Sequence, residues 1–253
     1  DVTFLSSSAI LFYHQNRNTE TAFDMVVQQQ GLDVVKDQMW NPLKNLVFGG
    51  IIKGRNFIPD GEIDGRYAST NFRGWRLISR KPSSKHQIEM ILHTDNVERL
   101  EDWDAGLAGT MKNVSQNEKG SRKETLDWWD NFWSRSYIRL NEQKQDPTSR
   151  IWQAGRNYQI FRYQLGCNAF GKYPTKFNGG LFTFDPQYID SKRELSPDFR
   201  RWGGGSFTAQ NQRLVYWPML KSGDFEMMKS QFDFYLRSLR NAELRTEVYW
   251  GHK

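Results

Sequence analysis

Cysteine is almost absent: the 253 residues contain one, Cys167. A lone thiol excludes an internal disulfide and any cysteine-based metal site. Its position in an apolar helical stretch predicts a buried, inert side chain. Histidine is scarce too, and His14, His86, His93 and His252 lie too far apart for the ligand spacing of a zinc site. Gly203-Gly204-Gly205 lacks the Lys-Ser/Thr ending of a phosphate loop and the spacing of a dinucleotide fingerprint. Ser6-Ser7-Ser8 is not a nucleophile elbow. We therefore expect no metal and no cofactor. Long apolar runs are missing as well, with nothing near the roughly 20 residues that span a bilayer, so no membrane insertion is expected. Asp1 to Ile10 lack the charged start and cleavage pattern of a signal peptide. Both ends read as cut, which makes the remainder of its own chain an expected partner.

What the chain has in excess is aromatic. Rings make up 15% of it, ten of them Trp, against 38% hydrophobic residues in total. Trp and Tyr offer flat, rigid faces to a core, to sugar rings or to bases. The formal charge is +6, but the 35 basic and 29 acidic residues are interspersed. Runs such as Arg80-Lys81 and Arg200-Arg201 are short and flanked by polar loop residues. This is a solvated surface rather than the basic stripe of a nucleic-acid binder.

Three regions follow one another. Residues 1–108 carry short runs of strand character at Val2–Leu5, Ala9–Tyr13, Ala22–Val27, Leu46–Phe48, Trp75–Ser79 and Gln87–His93. Turn signals at Gly49-Gly50, Pro59-Asp60-Gly61 and Asp64-Gly65 separate them, at spacings that suit antiparallel sheets and a partial β-sandwich. Residues 109–145 form a helical linker. Within it Thr110–Glu124 is a polar connector leading to Leu126, Trp129 and Trp133, which recur at helical spacing and predict one buried aromatic face. In residues 146–253, Asp146-Pro147-Thr148 signals a helix start. Ile151, Ala154, Tyr158, Phe161 and Leu165 trace its face, and Gly171 with Pro174 ends it. Gly223-Asp224 caps a further helix whose stripe is Phe225, Met228, Phe232, Tyr235, Leu236 and Leu239. The fold class is α+β and multidomain.

The chemistry concentrates between Phe177 and Pro218, where Phe177–Phe182, Arg201–Ser206 and Gln210–Pro218 mix amides, rings and glycines. A neutral polyol needs that mixture: amides donate to and accept from hydroxyls, rings cover C–H surface, and glycines let backbone approach. We take Trp202, Gln210, Arg213 and Trp217 as candidate substrate-binding residues, with Asn211 beside them. His14, next to Asn16, is a lesser candidate for reaching sugar hydroxyls from the sandwich side.

Gly155-Arg156-Asn157-Tyr158 with Pro174, Gly179 and Gly180, then Trp202-Gly203, then Asn211 through Tyr216-Trp217-Pro218, resemble the inverting (α/α)6-barrel glycosidases of the α-L-fucosidase type. A closer resemblance is to a group of secreted bacterial glycosidase-like proteins, through Phe12–Asn16, Leu43–Gly50 and Arg201–Pro218. The likeness implies a β-sandwich, a helical linker and the first helices of an (α/α)6 toroid. It also implies a carbohydrate partner, a periplasmic or extracellular location, and a role for Asn211 in positioning the attacking water. Where the fucosidase type carries a second asparagine, this chain has Ala209. Inversion requires an acid and a base carboxyl roughly 6.5–9.5 Å apart. The fucosidase-type pair comes later in the barrel, so both are expected beyond Lys253. Among nearer carboxylates (Asp185, Asp190, Glu194, Asp198, Asp224, Glu226, Glu243, Glu247), Asp224 reads as a helix cap and Glu243 with Glu247 as a solvated face. The expected function is glycoside hydrolysis, with a non-catalytic carbohydrate-binding or scaffold protein as the alternative.

Overall fold

The computed structural model describes residues 1–5, 8–17, 20–67, 70–140, 146–175, 192 and 209–252. The chain divides into two compact units, one of residues 1–67, 71–119 and 240–253, the other of 68–70 and 120–239. The class is α+β, with antiparallel sheets and several helices.

The first unit is built on a four-stranded antiparallel sheet in the order β1 (Val2–Leu5), β2 (Ala9–Gln15), β3 (Leu46–Gly54) and β6 (Ile88–Asn96). Leu11 pairs with Ile51 and Ile51 with Ile91, so these three share a face. That face, with Ala9 and Val47, packs against Trp103 and Leu107 of helix α2 (Leu100–Arg135). Trp103 is fully buried, and its indole N–H donates to the His93 carbonyl at 3.3 Å. The opposite face leaves Phe48, Ile88, Met90 and Leu92 exposed. Gly49-Gly50, expected as a turn, lies inside β3. A Cβ on Gly49 would overlap the Phe12 carbonyl and one on Gly50 the Ile91 carbonyl, so the pair marks close strand approach.

Two further expectations for this unit are corrected. Ala22–Val27 is not a strand but the start of helix α1 (Ala22–Gln29), followed by a 3-10 turn over Asp33–Gln38. A capping box decides it, with the Thr21 hydroxyl accepting from the Asp24 N–H and the Asp24 carboxylate accepting from the Thr21 N–H at 2.8 Å. Pro59-Asp60-Gly61 and Asp64-Gly65 do not break the chain. They run within β4 (Phe57–Tyr67), which pairs with β5 (Thr70–Ser79) in a second, two-stranded sheet. Such a ribbon has only edge strands, where proline is tolerated, and Gly61 takes φ +75°.

Thr110–Glu124 is no connector either, since α2 continues unbroken to Arg135. Lys, Glu, Gln and Arg make up about half of this largely exposed stretch, and their helix propensity with pairs such as Lys123–Asp127 at 2.5 Å supports it. In the second unit α2 supplies Trp128, Trp129, Phe132 and Trp133, joined by α3 (Arg150–Asn168), α4 (Ala209–Ser222), a 3-10 turn over Phe225–Met228 and the part of α5 (Lys229–Val248) up to Leu239. The core is Phe132, Leu165, Ala169, Val215, Tyr216, Met219, Met227 and Met228. Burying each of the Val, Leu, Met and Phe side chains among them contributes about 1.5–3 kcal/mol. Leu126 is exposed, as are Ile151 and Ala154, so the buried faces of α2 and α3 are rotated from those expected. Of the stripe expected for the last helix only Met228, in the 3-10 turn, is buried, while Phe225 of that turn and Phe232, Tyr235, Leu236 and Leu239 of α5 are exposed. Cys167, expected to be buried, is half-buried. No helix of the described residues is long and apolar enough to cross a membrane.

Candidate functional site

Helix α4 sorts the sequence candidates by angle. At 100° per residue, Gln210, Arg213 and Trp217 fall on one side, and all three are exposed, Trp217 to 61%. The Arg213 guanidinium lies 5.5 Å from the Trp217 ring centroid. Asn211 stands about a quarter-turn away and is half-buried. Trp202, with Phe177–Phe182, Gly203–Gly205 and the carboxylates Asp185, Asp190, Glu194 and Asp198, lies outside the described residues. A residue passed over in the sequence, Gln212, is completely buried, and both polar atoms of its amide lack a partner among the described residues. An unpaired amide at such depth is costly. The signal available was its helical phase, 200° from Gln210 and in line with Tyr216 and Met219.

Asp224 caps nothing with its side chain. Its carboxylate is 1% exposed and accepts from Arg162 Nη2 at 3.0 Å, Arg135 Nε at 2.9 Å and Ser222 Oγ at 2.5 Å. Arg162, itself 2% exposed, also donates to the Phe132 carbonyl at 2.7 Å and to that of Ser136, and lies 3.9 Å over the Phe132 ring. A carboxylate engaged by two guanidinium groups and a hydroxyl is a structural counter-charge, ill-placed to exchange protons with a substrate. Glu243 and Glu247 are exposed, and Glu243 pairs with Arg240 at 3.1 Å.

The second unit also holds an open recess of about 450 Å³, lined by Trp128, Trp129, Phe170 and Gly166, with Glu124 and Thr125 contributing polar groups. Sequence spacing assigned Trp129 and Trp133 to a buried face. Phe132 is the fully buried ring there, and Trp128, Trp129 and Trp133, all half-buried, pack against the same core. Consecutive side chains on a helix point 100° apart, so Trp128 and Trp129 flank Phe132 at different angles. Trp128 stacks on Phe132 at 5.1 Å and meets Phe170 edge-on at 5.7 Å. A Cβ on Gly166 would press on Trp129 at 3.1 Å.

In the first unit the structure joins two stretches that sequence treated separately. Asn16, at the end of Phe12–Asn16, donates through Nδ2 to the Leu43 carbonyl at 2.9 Å and holds His14 Nε2 at 3.0 Å through Oδ1. Its backbone N–H donates to the Leu46 carbonyl at 2.9 Å. Between them opens a polar cleft of about 350 Å³, lined by Asn16, Asn41, Lys44, Asn45, Asp37 and the Asp24–Lys36 pair, among others. That pair, 2.7 Å apart, holds the Asp24 carboxyl well below the usual carboxylate range, helped by hydrogen bonds from Thr21. His14 also lies 5.2 Å from the Phe48 ring, and His93 Nε2 is buried without a partner among the described residues. Among the described residues no group of three His, Cys, Asp or Glu is placed to hold a metal ion.

No curated protein and no solved structure matches the chain. A family model does, over residues 1–138, which take in the whole four-stranded sheet, the ribbon and all of α2. The chain therefore belongs to the family described as a domain of unknown function (DUF5703), matching the model of its N-terminal domain.

Proposed function

We propose that this protein is part of a glycoside hydrolase that acts on an oligosaccharide or polysaccharide by inversion. In this reading the second unit contributes sugar-binding surface, and the helices begin an (α/α)6 toroid behind a partial β-sandwich. The observation that carries it is the aromatic recess. Its 450 Å³ lies in the range of small-ligand sites, and it sets ring faces beside a carboxylate and a hydroxyl. Rings take the C–H face of a sugar while Glu124 and Thr125 take its hydroxyls. The exposed Gln210, Arg213 and Trp217 offer a second surface of the same character, and Asn211 keeps the water-positioning role implied by resemblance. The apolar outer face of the four-stranded sheet is what a sandwich buries. A secreted glycosidase would work in the periplasm or outside the cell.

One observation favours the alternative, a non-catalytic carbohydrate-binding protein: several described carboxylates of the second unit are already engaged, Asp127 with Lys123, Asp233 with Lys229 and Asp224 with two arginines. Binding and turnover are measured on a panel of neutral oligosaccharides and aryl glycosides, with the wild type, Trp128→Ala and Trp217→Ala. The proposal expects binding that Trp128→Ala weakens by about tenfold or more, since each stacked ring contributes about 1–3 kcal/mol. Binding without turnover, by this chain and by any longer form of it, selects the binding protein. No binding to any glycan sinks both.

A further inference from the structure

Resting on the glycan reading above, we propose that the first unit carries an anion-binding cleft for the sulfate ester or carboxylate groups of an acidic polysaccharide. Two segments distant in sequence build it. The turn between β3 and β4 brings Arg55 and Asn56, and residues 80–87 between β5 and β6 bring Arg80, Lys81 and Lys85. Backbone bonds hold them together: the Arg80 N–H donates to the Asn56 carbonyl at 2.9 Å, and the Arg55 N–H to the Gln87 carbonyl at 3.0 Å. Asn56 makes the turn at φ +65°. The loop is pinned by Ser83, whose hydroxyl donates to the Lys85 carbonyl at 2.7 Å and accepts from its N–H at 3.1 Å. The result is a cleft of about 400 Å³ in which no lining residue is a carboxylate.

Charge pairing separates this cleft from an ordinary solvated surface. Elsewhere in the same unit several cations are matched, Lys36 with Asp24, Lys53 with Glu89, Arg73 with Glu62 and Arg76 with Asp60. Two of the three acids of the neighbouring ribbon, Asp60 and Glu62, are thus already taken. Arg55, Arg80, Lys81 and Lys85 form no ion pair among the described residues, although all four surround one concavity. Four uncompensated cations repel one another, and an anion between them removes that repulsion. Guanidinium forks fit a carboxylate or sulfate through two parallel hydrogen bonds, and the lysines add point charge.

An acidic glycan fits better than a nucleic acid. The charge sits in one cleft rather than along a track, and no Phe, Tyr or Trp on which bases would stack is among its described lining residues. The ring that does line it, His86, packs edge-on against Phe57 at 5.6 Å.

The test measures dissociation constants of the full chain, at one fixed low salt concentration, for dextran sulfate, polygalacturonate, uncharged dextran and a single-stranded oligonucleotide. It compares wild type with Lys81→Ser/Lys85→Ser and with a charge-matched control on exposed α2, Lys112→Ser/Arg122→Ser. At least one acidic polysaccharide should bind more tightly than dextran and the oligonucleotide, and the loop variant should weaken it by about tenfold or more while the control leaves it unchanged. An equal loss in the control means diffuse charge and overturns the site. Tighter, loop-dependent binding of the oligonucleotide overturns the glycan assignment in favour of nucleic-acid phosphate. If neither acidic polysaccharide binds, the cleft proposal falls alone when neutral oligosaccharides still bind the aromatic recess. It falls together with the glycan reading when they do not.

Discussion

Replacing Asp224 with Asn tests whether the second unit is held by its buried ion network. The substitution keeps the shape of the side chain but removes the charge facing Arg162 and Arg135, and turns an N–H₂ toward donors now 3.0 and 2.9 Å away. Arg162 keeps the carbonyls of Phe132 and Ser136, so it is not stripped bare. Against that, a cation buried to 2% exposure loses its counter-charge. Breaking such a pair costs about 3–5 kcal/mol. The surviving carbonyl bonds place Asp224→Asn near the lower end, about 3 kcal/mol, or a fall in Tm of about 6–12 °C for a protein of this size. Tryptophan fluorescence reads the transition directly, because Trp133 lies 5.4 Å from the Arg162 guanidinium. Arg162→Met and the double variant complete a mutant cycle, in which the double should lose well under the sum of the two single losses, because it leaves no buried charge without a partner. A loss under about 1 kcal/mol for Asp224→Asn, or strict additivity in the cycle, refutes a structural role for the network.

Asn45 stands at φ +54°, where glycine is at home and alanine is not, so Asn45→Gly should be neutral within a few tenths of a kcal/mol while Asn45→Ala costs about 1. Equal urea midpoints for the two would contradict this. Gly49→Ala should leave the four-stranded sheet unable to close, seen as lost strand signal in circular dichroism, because the new methyl collides with the Phe12 carbonyl. Wild-type stability in that variant would mean that the strands can separate without cost. At α1, the folded-state pKa of Asp24 is depressed, first by its bond with Lys36 and then by Thr21. Its stabilisation is therefore full above the ordinary carboxylate pKa of about 3.9 and is lost as pH falls below that value toward the folded one. Amide exchange at Met25 to Val27 should differ between wild type and Asp24→Asn at about pH 6 and converge as pH drops. A gap as wide at about pH 2 would refute the assignment.

Much of the architecture was legible because it rests on local pattern. Val2–Leu5, Ala9–Tyr13 and the runs at Leu46, Trp75 and Gln87 alternate or cluster as strands do, and all lie in or overlap observed strands. The α+β class and the long helices followed from periodicity of the same kind. The register that sets Leu11, Ile51 and Ile91 on one face is not written there, because the other face of these strands is apolar too, with Phe48, Met90 and Leu92.

What only the tertiary structure decided depends on the far side of each contact. Gly49-Gly50 and Pro59-Asp60-Gly61 carry the local signature of turns. Their place in strands is set by the carbonyl of a neighbouring strand in one case and by the freedom of a two-stranded ribbon in the other. Asp224 precedes a helical segment as a cap does, yet its carboxylate is claimed by Arg162 and Arg135, 62 and 89 residues away. Trp129 and Trp133 read as one buried face, and both do pack on the Phe132 core, but that Trp129 with Trp128 also lines a recess is set by Gly166 and Phe170 on the far side. Arg80-Lys81 is an ordinary loop pair in the sequence. It becomes part of a cationic cleft only when the β3–β4 turn delivers Arg55 beside it, because charge acts through space and not along the chain.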